Sequence, residues 1–282
     1  MMKKLTIITV NYNHCEGLRR TMESVFRQTC HDYEYIVIDG GSTDGSADLL
    51  RVSAGRIDYW VSEPDRGIYH AMNKGVARAT GEYLLFLNSG DVLHDDKVLA
   101  DMVGGGELDR DIVTGCSLYV PNGGISRLHD KPVALMDFWY KNPINHQSAF
   151  IRRSLQEAFP YDETLKVNSD WKFFFHAIFI RNCSLKRVDR VVVDYEGGGV
   201  SEKDKKLNDA EHERCMCEML SPAALHECVR LAADRGYDGF YLRLRTLRYS
   251  GWVYTVSVLF VRLLSLLVPS ARFAREFPVR LK

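Results

Sequence analysis

Apolar residues in the first hundred positions follow two alternating rhythms. Unbroken runs such as Thr6-Ile7-Ile8-Thr9-Val10, Tyr35-Ile36-Val37-Ile38 and Tyr83-Leu84-Leu85-Phe86-Leu87 are too short for helices and have no polar face. Runs of this kind read as strands buried on both sides, the mark of a parallel sheet. Asp58-Tyr59-Trp60-Val61-Ser62 reads as a further, shorter strand. Between the strands, apolar residues recur at helical spacing. Leu18, Met22, Val25 and Phe26 mark a helix over 16–28, and Met72 and Val76 one over 68–79, with a short helix over 46–51. This βαβαβαβ order predicts an α/β fold with a parallel, doubly wound sheet and right-handed crossovers.

The rhythm changes after Asp111. Short apolar segments at 112–114, 117–120 and 148–151 are separated by turn residues such as Pro121-Asn122-Gly123-Gly124. An aromatic helix is expected over 170–178 and a strand over 185–193. Gly197-Gly198-Gly199 marks a hinge or a close backbone approach, and 201–233 reads as charged helix. The expected organisation is an α/β domain over 1–200 and a helical C-terminal extension over 201–282.

Within the extension, residues 251–268 are almost wholly apolar, with Arg243, Arg245 and Arg248 before them and Arg272, Arg275, Arg280 and Lys282 after. The length approaches the roughly 20 residues of a bilayer span. Arg262 near the middle would cost roughly 2.5 to 3.5 kcal/mol on insertion. Basic flanks with Trp252 and Tyr254 suit a helix lying on a membrane surface; a terminal helix packed on the domain or a second subunit, and a true span, are the alternatives. The first residues lack the apolar core and cleavage site of a signal peptide, and seven scattered cysteines fit free thiols. The expected location is cytoplasmic, peripheral to the inner face of the membrane. Lys plus Arg and Asp plus Glu both number 37, so no basic excess points to nucleic acid.

The chemistry lies where the buried strands stop. The ends read Val10-Asn11-Tyr12-Asn13, Asp39-Gly40-Gly41-Ser42-Thr43-Asp44-Gly45 and Asn88-Ser89-Gly90-Asp91. Open α/β sheets bind ligands beyond the carboxyl ends of their strands, and Asp39, Asp44 and Asp91 suit a nucleotide with a divalent cation. No G-x-G-x-x-G follows the first strand, which argues against a nicotinamide dehydrogenase. No Gly-rich phosphate loop ending in Arg or Lys stands there either, which argues against a sugar nucleotidyltransferase. His212, Cys215, Cys217, His226 and Cys228 have zinc-like spacings, but a helix there turns Cys215 and Cys217 to different faces.

Further stretches follow in order: Glu63-Pro64-Asp65-Arg66-Gly67-Ile68-Tyr69, Ala71-Met72-Asn73-Lys74-Gly75, Gly81-Glu82-Tyr83, Asn145-His146-Gln147 and Ser169-Asp170-Trp171. With the strand ends they cover about residues 4–200, and together they resemble the inverting glycosyltransferases of family 2, of the bacterial polysaccharide type. The resemblance implies a GT-A fold, with a Rossmann-like nucleotide-binding sheet. It implies transfer from a nucleotide diphosphate sugar, UDP above all, to a glycan or lipid-linked acceptor. It also implies Mg²⁺ or Mn²⁺ held by Asp91. Here Asn88 stands in place of the motif's first acid and Gly90 at its third position, so a single carboxylate would leave the donor phosphates and water to complete the site.

Val10, Asn11, Tyr12 and Gly40 would line the base pocket, with Asp39 accepting from the base. Asp65, Arg66, Asn88 and Ser89 would lie along the nucleotide. Asp170 would deprotonate the acceptor, with Asp162 and Asp189 as the nearby substitutes. His146 would touch diphosphate or acceptor, and Trp171 would stack on a sugar. Each has a plainer reading: a turn at 39–45, a turn and helix cap at 88–91, a cap at Asp170, core packing at Trp171. The altered metal motif also leaves open a family member that binds nucleotide sugars without turnover.

Overall fold

A computed structural model describes residues 3–121, 123–126, 134–140 and 142–234; the apolar segment 251–268 lies outside them. The chain falls into two compact units, Met1–Cys215 and Met216–Lys282.

The first unit begins with β1 (Leu5–Asn11), α1 (Cys15–Phe26), β2 (Tyr33–Asp39), α2 (Ser46–Ser53), β3 (Tyr59–Ser62), α3 (Ile68–Val76) and β4 (Tyr83–Asn88). The four strands pair in parallel in the order β3-β2-β1-β4. Every residue of β1 is buried, which is why its sequence shows no alternation. The helix α1 turns Leu18, Met22 and Val25 inward. A Cβ at Gly75 would come 2.4 Å from Ile8 Cγ2, so glycine is what lets α3 lie directly on β1.

Beyond β4 the sheet is mixed. After β5 (Val92–Leu93) come β6 (Ile112–Tyr119), β7 (Gly124–Ser126), α4 (Leu135–Tyr140), β8 (Ala149–Arg152) and α5 (Arg153–Ala158). Then come α6 (Ser169–Phe175), a π-helical turn over His176–Ile180, and β9 (Leu185–Tyr195). The strand β8 runs antiparallel to both β4 and β6, β6 pairs in parallel with β9, and β5 closes the edge against β9. The parallel, doubly wound pattern therefore holds for the first four strands and then gives way, where strand–helix alternation fades after Asp111. Segments 112–114 and 117–120, expected as two strands, belong to one. Thr114 pairs with Arg187 and Cys116 with Val191, so β9 carries extra residues in a bulge across from Gly115.

The helices after β9 are α7 (Val200–Lys203), α8 (Lys205–Met219) and α9 (Pro222–Asp234). In the second unit, Pro222 opens α9 and Ser221 Oγ accepts from Ala224 N at 3.3 Å, a helix start in which proline costs no hydrogen bond. The first unit runs beyond residue 200 because α8 is tied into it. The buried Glu211 carboxylate accepts from the backbone N–H groups of Lys166 (2.8 Å), Val167 (2.9 Å) and Asn168 (3.2 Å). No helix among the described residues is long and apolar enough to cross a membrane. All seven cysteines are free thiols.

The loop that Glu211 holds leads into α6, and Asp162 staples it from the other side. Asp162 accepts from Thr164 N (2.9 Å) and Thr164 Oγ1 (2.7 Å), and pairs with Lys172 Nζ (2.8 Å). Burial works against its charge, but Lys172 and Thr164 outweigh burial and bring the carboxyl down to about 2. A lowered pKa gives stability that is present above the unfolded value of about 3.9 and lost as pH falls through the folded one. Asp162→Asn should therefore cost about 2 kcal/mol near neutral pH. In denaturant titrations, the gap between variant and parent should narrow as pH is lowered from about 5 to about 3. A gap that stays constant over that range would exclude the charged staple.

Candidate active site

Parallel register lines up the strand ends. Asn11 lies beside Asp39, Asp39 beside Ser62, and Val10 beside Asn88. Asp39 is fully buried. At Oδ1 it accepts from Asn11 Nδ2 (2.6 Å) and Ser42 Oγ (2.5 Å); at Oδ2 it accepts from Ser42 N (3.0 Å) and Ser62 Oγ (2.6 Å). Burial raises its pKa, yet the Ser42, Ser62 and Asn11 donors outweigh that and hold it below the ordinary carboxylate range. A carboxylate has about four acceptor positions, and here protein donors fill them. Asp39 therefore fixes the strand ends and the following loop from within. Ser42 Oγ in turn accepts from Asn13 N at 2.7 Å, so the first two strand ends share one polar network.

Tyr12 stands out from that network at 70% exposure. Its ring lies over Gly40, where a Cβ would sit 3.2 Å from Tyr12 Cδ2. An exposed ring at the lip of buried strand ends is free to stack on a flat ligand. Asp65 is turned inward: its Oδ1 meets His70 Nδ1 (3.0 Å) and Lys74 Nζ (2.8 Å), and its Oδ2 is buried without a partner. Arg66 is exposed and pairs with Glu163. The Ser89 hydroxyl donates to Val10 O at 3.2 Å, which pins the turn after β4 to β1.

A second network starts at Asn88. Asn88 Nδ2 lies 3.3 Å from His146 Nε2. His146 Nδ1 donates to Asp170 Oδ2 at 3.1 Å. Asn142 Nδ2 also donates to Oδ2 (2.9 Å), and the Tyr69 hydroxyl lies 3.0 Å from Oδ1. The arrangement brings β4, the 3₁₀ turn at His146–Ser148 and the start of α6 together around one carboxylate. Burial and the Asp170 charge both push the Tyr69 hydroxyl well above its usual pKa, so it stays a donor. Tyr69 and Asn142 were not assigned a role from sequence. Tyr69 stands inside a motif stretch, which was the available signal; Asn142 carries none.

Trp171 is corrected to a core residue. It is fully buried, stacks on Phe175 with centroids 5.1 Å apart, and donates from Nε1 to Phe138 O at 3.0 Å. Its face is used by other aromatics and offers nothing to a sugar. Asp162 is engaged with Lys172, and Asp189 lies beside Cys116 Sγ at 3.7 Å, so neither joins the Asp170 network.

Asp91 is 3% exposed. Its Oδ1 accepts from Glu196 N at 3.1 Å. Its Oδ2 has no partner in hydrogen-bonding geometry. Burial pushes its pKa up to about 7, against the pull of the Glu196 N–H, the nearby His146 and the Gln147 amide. Asn88 Oδ1 is likewise buried and unpartnered. Among the described residues, no group of three or more His, Cys, Asp or Glu is assembled to hold a metal, at these strand ends or over 212–228.

Residues 6–174 match the glycosyl transferase family 2 profile. A glycosyltransferase of Mycobacterium tuberculosis is 33% identical over 204 residues, covering 70% of this chain and 76% of its own length. The PGL/p-HBAD biosynthesis glycosyltransferase of Mycobacterium bovis is 32% identical over 207 residues, covering 70% of this chain and 78% of the relative. Among solved structures, S. aureus TarS 1-349 in complex with UDP-GlcNAc superposes with a TM-score of 0.63 at 17% identity, over 83% of this chain and 73% of that one. A mannosyltransferase from Pyrobaculum calidifontis in complex with GDP-Man and Mn²⁺ gives 0.61 at 16% identity, over 98% and 84%. These likenesses establish the GT-A fold. The family match and the two relatives go further: this chain belongs to glycosyltransferase family 2 and is a glycosyltransferase.

Proposed function

We propose that the protein transfers a sugar, with inversion, from a nucleotide diphosphate sugar to a glycan or lipid-linked acceptor in surface polysaccharide or glycolipid assembly. The observation that carries this reading is the hydrogen-bonded chain from Asn88 at the end of β4 through His146 to Asp170. It sets a carboxylate across from the polar strand ends, where a donor would lie. UDP is the preferred nucleotide, on the likeness to TarS with UDP-GlcNAc; the GDP-Man complex of the Pyrobaculum enzyme makes GDP the competitor. The lipid-linked alternative draws on the relative named for PGL/p-HBAD biosynthesis. Peripheral membrane association rests on the sequence of 251–268 alone.

In this reading Tyr12 stacks on the base, while Val10, Asn11, Asp39 and Gly40 shape its pocket. Asp65, Arg66 and Ser89 border the nucleotide. The orphaned Asp91 Oδ2 and Asn88 Oδ1 fit a hard cation that seeks oxygen, so Asp91 would hold Mg²⁺ or Mn²⁺ together with the donor phosphates. When bound, the cation would neutralise charge developing on the diphosphate. Asp170 takes the proton of the acceptor hydroxyl as that oxygen bonds to the anomeric carbon. The bond to phosphate breaks on the opposite face, and its electron pair leaves with the diphosphate. Tyr69, Asn142 and His146 donate to the carboxylate and hold it in place, with one of its about four acceptor positions left for the acceptor. A second reading has a specific motive: Asp170 orients His146, as an acid orients a catalytic imidazole, and His146 itself is the base.

Asp170→Asn keeps the shape and removes the basicity. It should lower kcat by about 100- to 10,000-fold with little change in donor affinity, and the product should have the anomeric configuration opposite to the donor's. Parent-like turnover, or retained configuration by NMR, would refute the mechanism. His146→Gln separates the two readings: a loss as large as that of Asp170→Asn assigns the base to histidine, a much smaller loss assigns it to Asp170.

Asp39→Asn turns an acceptor into a donor that faces the Ser42, Ser62 and Asn11 donors. UDP binding measured by calorimetry should weaken by about 1 to 3 kcal/mol. Unchanged affinity would remove Asp39 from the nucleotide site. Finally, a bound donor stabilises the native state in proportion to ln(1 + [L]/Kd). A thermal-shift panel of UDP- and GDP-sugars with Mn²⁺ should show stabilisation by UDP-sugars first; stabilisation by GDP-sugars alone would reverse the nucleotide assignment.

A further inference from the structure

We propose that Glu196, at the end of β9, supplies the second protein carboxylate of the divalent-cation site, in the space an acidic side chain at position 90 would otherwise take. The inference rests on the cation-assisted reading above. Gly90 has a positive φ of 105°, which disfavours a side chain. More telling is what fills the space: a Cβ built there would lie 1.8 Å from Glu196 Oε2 and 2.7 Å from Glu196 Cδ. The chain therefore delivers a carboxylate to this point from a strand more than a hundred residues downstream.

Two contacts hold Glu196 there. Its backbone N–H donates to Asp91 Oδ1 at 3.1 Å, which binds the two acids to each other. Arg20, from α1, pairs with Oε1. Oε2 lies against Gly90 and 3.7 Å from His14 Nε2, beyond hydrogen-bond reach. Among the described residues Glu196 Oε2 thus makes no hydrogen bond, and Oδ2 of Asp91, a residue 3% exposed with the Gln147 amide nearby, is buried without a partner in hydrogen-bonding geometry. The Glu196 side chain is 37% exposed, so its carboxylate is reachable from solvent. Mg²⁺ and Mn²⁺ favour six oxygens. Two carboxylate oxygens leave the remainder to donor phosphates and water, which agrees with the lack of three assembled protein ligands among the described residues. Such a site binds its cation well only with the nucleotide diphosphate present.

The test is the signal of free Mn²⁺ in electron paramagnetic resonance, titrated with full-length protein, alone and with UDP. The parent should bind Mn²⁺ with UDP and weakly without it. Glu196→Gln and Glu196→Asp should each weaken Mn²⁺ binding by on the order of tenfold or more. The second keeps the charge but withdraws it, and serves if the first fails to fold; melting curves without metal check both. Asp91→Asn should lose Mn²⁺ as well. Parent-like Mn²⁺ affinity in the Glu196 variants, with loss in Asp91→Asn, would overturn the Glu196 assignment and leave the cation reading standing. Failure of the parent to bind Mn²⁺ with UDP would overturn both.

Discussion

Parallel pairing ties strands residue by residue, and at the carboxyl edge of this sheet it forces separate chain segments into one polar layer. Because Asn11 is registered on Asp39 and Asp39 on Ser62, the end of each strand must supply what its neighbour lacks. A buried carboxylate at that edge is costly unless every acceptor position is met. Asp39 is met by a side-chain amide, two hydroxyls and a backbone N–H from three strand ends or their loops. The donors decide the balance, since its pKa lies below the ordinary value in spite of burial. The edge is therefore rigid before any ligand arrives, and Tyr12 is displayed on it.

The acceptor side is joined to this rigid half by the β4–β8 pairing and, at the site, by the Asn88–His146–Asp170 chain. A carboxylate can only accept, so His146 Nδ1 carries the proton that Asp170 receives. Further contacts secure the loop before α6. Glu211 caps three consecutive N–H groups of that loop, and Asp162 binds it to Lys172. An acid placed at a helix start cannot be steadier than the loop that leads to it. The early part of α8 thus works for the site, although it lies past β9, the last strand along the chain.

What was legible in the sequence follows from how local each signal is. The strands β1, β2 and β4 announced themselves because both faces are largely buried, so hydrophobicity alone marked them, while β3, half-buried at the sheet edge, gave a shorter signal. The helices α1 and α3 followed from their spacing, with ends misplaced by a few residues where turns take over, as at Ala79, whose N–H is shared between Gly75 O and Val76 O. The mixed half was only partly legible. A bulge in β9 is a relation between two strands, and nothing in β6 records it except the small residue Gly115. Trp171 beside Asp170 read equally well as a sugar platform or as core; only the positions of Phe138 and Phe175 decide it. Asn142 and Glu211 act through contacts remote in sequence, and their own neighbours give no sign of it.

The metal motif is the sharpest case of that limit. Read along the chain, Asn88-Ser89-Gly90-Asp91 has lost acids and reads as a weakened site. Read in space, Gly90 makes room and Glu196 enters. Such an arrangement has a cost without a cation: the Glu196 charge opposes ionisation of Asp91, whose second oxygen is already buried and unpartnered. Arg20 and the Glu196 N–H offset part of it by binding one oxygen of each acid. The oxygens left over are the ones a dication would take, and a doubly charged ion reverses the sign of the repulsion between the two acids.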